Sequence, residues 1–168
     1  GEVIPEADPA TFHLIMEQYL SMAQDKNGVY CQDSLLTKDI ENFKSFDTYF
    51  SFFRDSTSVY YYCTKLENSD AATFTKIDGD FYKDKNNIYY QGHIIKSDTK
   101  SFQVLIGGYA KDKESVFFRY DGVVAGANPS TFKVRIFGVD DQTISKECGD
   151  VYFNAYDDKS CFENKTLV

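Results

Sequence analysis

Lys83-Asp84-Lys85-Asn86-Asn87-Ile88-Tyr89-Tyr90, followed by Ser97-Asp98-Thr99-Lys100-Ser101-Phe102, decides the fold, because degenerate copies of both halves recur along most of the chain. Five phenylalanines set the register: Phe12, Phe43, Phe74, Phe102 and Phe132, spaced 31, 31, 28 and 30 residues apart. Four residues before each stands Asp8, Asp39, Asp70, Asp98 or Asn128, and directly before each stands Thr11, Asn42, Thr73, Ser101 or Thr131. A second anchor follows at Val29-Tyr30, Val59-Tyr60, Ile88-Tyr89, Val116-Phe117 and Val151-Tyr152. An aspartate stands four residues upstream of the first four (Asp25, Asp55, Asp84, Asp112), and Glu147 takes its place before the fifth. A fixed period of about 30 residues with matches of this kind marks stacked supersecondary units.

The run from Lys83 to Tyr90 resembles the signature of the DKNYY repeat family, with Lys111-Asp112-Lys113-Glu114-Ser115-Val116-Phe117-Phe118 and Asp25-Lys26-Asn27-Gly28-Val29-Tyr30 as further copies. The resemblance runs over residues 8 to 132, is weak around Arg54–Tyr60 and fades after Val139. It implies an exported or envelope-associated bacterial protein and supplies no activity.

A chain of 168 residues can bury one sizeable core, and its length favours a single domain over residues 1–168. Its 15 Phe and 13 Tyr without a Trp, and only three Pro, point to an all-β chain with an aromatic interior. The expected architecture is five antiparallel meander or hairpin units of about 30 residues, near 8–38, 39–68, 69–96, 97–126 and 127–168, stacked like a solenoid or a small propeller. Each unit is read as three short strands. Asp8-Pro9, followed by Phe12, Ile15, Met16, Tyr19, Leu20 and Ala23 at helical spacing, predicts one N-terminal helix over residues 9–23 as a cap. Cys148 and Cys161 flank a C-terminal hairpin that a disulfide would tie.

Four cysteines allow three pairings. Cys31 and Cys63 each follow a second anchor about one period apart, so stacking favours Cys31–Cys63 and Cys148–Cys161. That arrangement suits an oxidising compartment, hence export to the periplasm or outer envelope. No apolar run is long enough for a membrane span.

A net charge of −8 argues against a nucleic-acid backbone as partner and suits a basic protein, although acidity of this degree also serves solubility alone. Alternation puts Val29, Val59, Ile88, Val116 and Val151 on one core face, with Tyr61, Tyr90, Phe118 and Phe153. The opposite face carries Tyr30, Tyr60, Tyr89, Phe117 and Tyr152, joined by Tyr62 and Arg119. This aromatic ladder is either a second core layer or an exposed binding face for protein or glycan. Asp25, Asp55, Asp84 and Asp112 resemble calcium-loop residues, but one carboxylate per turn falls far short of the required oxygens, and turn capping accounts for them. Lys76-Ile77-Asp78-Gly79-Asp80 reads as a solvated acidic turn. No Gly-x-Ser-x-Gly, phosphate-binding loop or His-Glu-x-x-His is present, so no catalytic, metal or cofactor residues are assigned. The expected function is a non-enzymatic, exported protein-interaction module; an inhibitor or immunity protein against a basic toxin, or a glycan-binding module, are the alternatives.

Overall fold

The computed structural model describes residues 3–16, 20–46, 51–136, 153–157, 160–163 and 166–167. Each period of the sequence forms one small antiparallel sheet in which strands adjacent in the chain pair. The first is β1 (His13–Met16), β2 (Met22–Gln24), β3 (Val29–Cys31) and β4 (Ser34–Thr37); the second is β5 (Lys44–Ser45), β6 (Phe52–Arg54), β7 (Val59–Tyr61) and β8 (Thr64–Lys65). The third comprises β9 (Thr75–Asp78), β10 (Phe81–Lys83), β11 (Ile88–Tyr90) and β12 (His93–Ile95). The fourth has β13 (Gln103–Val104), β14 (Tyr109–Lys111) and β15 (Val116–Phe118), its fourth strand reduced to a bridge between Phe117 and Val123. The fifth is β16 (Lys133–Ile136), β17 (Phe153–Tyr156), β18 (Cys161–Glu163) and β19 (Thr166–Leu167). The chain divides into two compact units, Gly1–Phe74 and Thr75–Val168.

No α-helix occurs among the described residues, and none of their helices is long and apolar enough to cross a membrane. The helix expected over residues 9–23 is replaced by a turn and two strands. Thr11 and Phe12 donate backbone N–H groups to the Asp8 carbonyl, but the turn stops there and β1 (His13–Met16) pairs with β2 (Met22–Gln24). Helical spacing in a short apolar run is ambiguous, and the tertiary context that forms β16–β17 after Asn128-Pro129 also forms β1–β2 here. The three strands expected per unit become four in most sheets, because the last strand is short and partly exposed, as in Ser34–Thr37, and leaves little pattern to read.

Consecutive sheets within a unit pack through opposite faces. In the first unit Met22, Val29 and Cys31 of one sheet meet Phe53 and Tyr60 of the next. In the second, Phe81, Ile88 and Tyr90 meet Ala110 and Phe117, and Tyr109, Val116 and Phe118 meet Phe132 and Ala155. The third strands are therefore covered on both sides, which is why they read Val-Tyr-Cys, Ile-Tyr-Tyr and Val-Phe-Phe instead of alternating with polar residues. The opening phenylalanines act as wedges: Phe102 contacts Phe81 at 5.7 Å and Phe117 at 6.0 Å between ring centroids. Cys31 and Cys63 form a disulfide with a Cα–Cα distance of 5.6 Å, joining the first two sheets as the spacing requires. Cys161 is also disulfide-bonded, while Cys148 lies outside the described residues.

Candidate functional site

Each sheet has two ends of different chemistry. At one end the opening turn meets the loop between the second and third strands, and both halves of the repeat signature are used there. Asp25 Oδ1 accepts the N–H groups of Asn27 and Gly28 at 2.7 and 3.1 Å, while Oδ2 takes the Asp8 N–H. The Tyr30 hydroxyl donates to the same carboxylate at 3.2 Å. Asp55 receives Thr57 and Ser58 N–H at 2.8 and 2.7 Å, and the Tyr60 and Thr37 hydroxyls at 2.7 Å each. Asp84 repeats the pattern with Asn86, Asn87 and the Tyr89 hydroxyl, and Asp112 with Glu114, Ser115 and the Asp98 N–H. Lys113 pairs with Asp98 at 2.7 Å and Lys26 with Asp8 at 3.1 Å, which binds the opening turn to the hairpin electrostatically as well.

The local electrostatics follow from these contacts. Burial alone pushes the Asp55 carboxyl up, but the hydroxyl of Tyr60, the N–H groups of Thr57 and Ser58 and the hydroxyl of Thr37 outweigh it and hold the group at about 2. Asp25 is likewise lowered against the effect of burial by N–H groups from Asp8, Asn27 and Gly28. Burial, then the neighbouring carboxylate, raises Tyr30 and Tyr60. These aspartates are structural caps whose oxygens are filled by the protein itself.

The fifth repeat corrects the register. Asp157, not Glu147, takes the cap position: it accepts Ser160 N–H at 2.8 Å and Asn128 N–H at 2.7 Å, and its own N–H reaches Ser160 O as in the other hairpins. The second anchor of this unit is Cys161-Phe162, four residues after Asp157, and not Val151-Tyr152. An insertion over 137–152 between β16 and β17 misaligned the two, and Tyr152 lies outside the described residues.

The expected aromatic ladder does not face solvent. Tyr30, Tyr60, Tyr89 and Phe117 are all buried at no more than 3% exposure, so they form the second core layer. Tyr62 and Arg119 are exposed, and both belong to the other end of the sheets.

At that end lie the connections between the first and second strands and between the third and fourth. The residue directly after the third strand of the first four sheets, Gln32, Tyr62, Gln91 or Arg119, has a positive φ of 57°, 51°, 47° or 49°. Each donates its N–H across to the neighbouring connection, to Ser21, Ser51, Asp80 and Gly108 carbonyls. The backbone geometry is thus repeated while the side chain varies among Gln, Tyr and Arg. In the second unit these connections enclose a cleft of about 280 Å³, with Asp78, Gly79 and Asp80 on one wall, Ile106, Gly107 and Gly108 on the other, Phe81 and Tyr90 beneath, and Arg119 at the rim. Asp80 accepts Gln91 Nε2 at 3.0 Å. Burial raises the Tyr90 hydroxyl, the Asp80 charge adds to this, and Arg119 opposes it. Asp78 and Asp80, read from the sequence as a solvated turn, are exposed but line this cleft. Among the described residues no group of three or more His, Cys, Asp or Glu side chains could hold a metal ion.

One small antiparallel sheet per period, locked by its own signature at one end, defines an all-β repeat protein. The DKNYY family model matches residues 32–93 and again 81–166, and the chain belongs to the DKNYY family. No curated protein and no solved structure matches it.

Proposed function

We propose that the protein is an exported, non-enzymatic recognition module that engages a protein partner through the connections following the first and third strands of its sheets. The observation that carries this reading is the recurrence of Gln32, Tyr62, Gln91 and Arg119 at positive φ. An L-residue in this conformation costs about 1–2 kcal/mol relative to its usual one, and glycine would remove the cost. A large Gln, Tyr or Arg side chain kept at the same strained place in all four copies described, where glycine would relieve the strain, fits a role outside the fold. Repeat proteins present recognition residues in this way, on a rigid frame held by residues elsewhere in each unit, whether the sheets stack as a solenoid or a propeller. The Cys31–Cys63 disulfide supports an oxidising compartment. The net charge of −8 favours a basic partner whose association weakens as salt rises.

Gln32→Gly combined with Tyr62→Gly tests the reading. Removal of backbone strain and the added unfolded-state entropy of glycine nearly offset, and loss of the Tyr62 ring contact with Tyr61 at 4.6 Å adds a modest cost, so stability is expected to fall by about 1–2 kcal/mol and the variant to remain folded. Capture of the partner from envelope and secreted fractions, in contrast, is expected to be lost. Equal capture by the folded double variant overturns the proposal.

A further inference from the structure

The cleft of the second unit is built for a charge-separated ligand. Its two walls carry opposite charges that do not neutralise each other: among the described residues neither Asp80 nor Arg119 forms an ion pair. The guanidinium of Arg119 is held over the Phe118 ring at 5.1 Å, a contact that fixes its position and leaves its N–H donors unused. Gly108, at φ 84°, makes room for this arrangement, because a Cβ there would stand 3.0 Å from Arg119 Cγ and 3.1 Å from Nε. On the opposite wall Gln91 orients the Asp80 carboxylate through its 3.0 Å hydrogen bond. Gln91 and Arg119 are two of the four recurrent positive-φ residues, and here the connections that carry them line one cleft.

We infer that this cleft binds an ammonium–carboxylate pair of amino-acid size, with the carboxylate on Arg119, the ammonium on Asp80, and the aliphatic stem over Phe81 and Tyr90. The volume of about 280 Å³ accommodates one residue. The planar guanidinium suits a carboxylate through paired N–H donors, and the aspartate accepts an ammonium as a charge-assisted hydrogen bond. Two sources carry this chemistry, a free amino acid and the C-terminal lysine of a peptide. The inference rests on reading this end of the sheets as the recognition end, but a small-molecule titration tests it separately from partner capture.

Titration of the full chain with Nα-acetyl-lysine, followed by the amide shifts of Gly79, Gly107 and Gly108, is expected to saturate at millimolar concentration. Loss of either charge should weaken binding about tenfold, whether by Nα-acetyl-lysine amide as the probe, by Arg119→Gln or by Asp80→Asn. Tighter binding of free lysine than of Nα-acetyl-lysine assigns the site to a free amino acid, and the reverse assigns it to a peptide terminus. If neither probe shifts these amides, or if the amide probe and both variants bind as well as the parent pair, the inference is overturned. That result would leave the capture experiment on Gln32 and Tyr62 unaffected.

Discussion

Asp55→Ala is expected to destabilise the protein by about 3–5 kcal/mol, a large effect for one side chain. The substitution strips the acceptor from Thr57 N–H, Ser58 N–H and the Thr37 and Tyr60 hydroxyls together, and Ser58, Thr37 and Tyr60 are all buried. Leaving several such donors unsatisfied costs far more than the net worth of any one bond. The same carboxylate makes stability depend on acid. Its folded value of about 2 lies below its ordinary value of 3.8, so the charged form stabilises the fold above pH about 4 and that contribution disappears as pH falls toward 2. Denaturant unfolding at several pH values measures both effects. Asp55→Asn, which does not titrate, should show a shallower acid loss than the parent; an identical slope would remove Asp55 from the acid transition. Asp157→Ala should resemble Asp55→Ala while Glu147→Ala changes nothing, because Asp157 is the cap of the fifth hairpin.

The repeat was legible in the sequence because its period is fixed by hydrogen bonds that need particular residues. An aspartate four before a phenylalanine, with Thr or Ser directly before the ring, is what the opening turn requires: Asp8 and Thr11 share a bond at 2.8 Å, and Thr11 Oγ1 accepts the Lys26 N–H. The Cys31–Cys63 pair followed from the same register. The N-terminal helix does not form because the repeat register outranks local apolar spacing: Asp8–Phe12 aligns with Asp98–Phe102, which starts a strand-forming unit. The fifth anchor was misplaced by the insertion at 137–152, where Val151-Tyr152 imitates the motif and Cys161-Phe162 carries it. The candidate cleft was least legible. Asp80, Gln91, Gly108 and Arg119 are contributed by two sheets and meet only after stacking, and no spacing along the chain records that meeting.

Breaking the Cys31–Cys63 bond is expected to cost about 3–4 kcal/mol, the chain-entropy value for closing a loop of sequence separation 32. For a protein of this size that corresponds to a fall in melting temperature of roughly 10 °C. Cys31→Ala with Cys63→Ala isolates the effect, because chemical reduction also opens the bond at Cys161. Hydrogen exchange should rise first in Met22–Cys31 and Phe52–Tyr61, whose faces meet beside the bridge. A variant that melts with the parent would show that the packing of Met22 and Val29 on Phe53 and Tyr60 suffices to hold the two sheets. The repeat supplies a second, constructive test. Cys31 ends a third strand and Cys63 is the second residue after the next one, the places that Tyr90 and Tyr120 hold in the second unit, where their rings lie 6.2 Å apart. Tyr90→Cys with Tyr120→Cys should therefore oxidise to a disulfide in the otherwise unchanged chain, detected by mass spectrometry of unreduced peptides. Two persistent thiols at these positions would mean that the sheets of the second unit stack in a different register from those of the first.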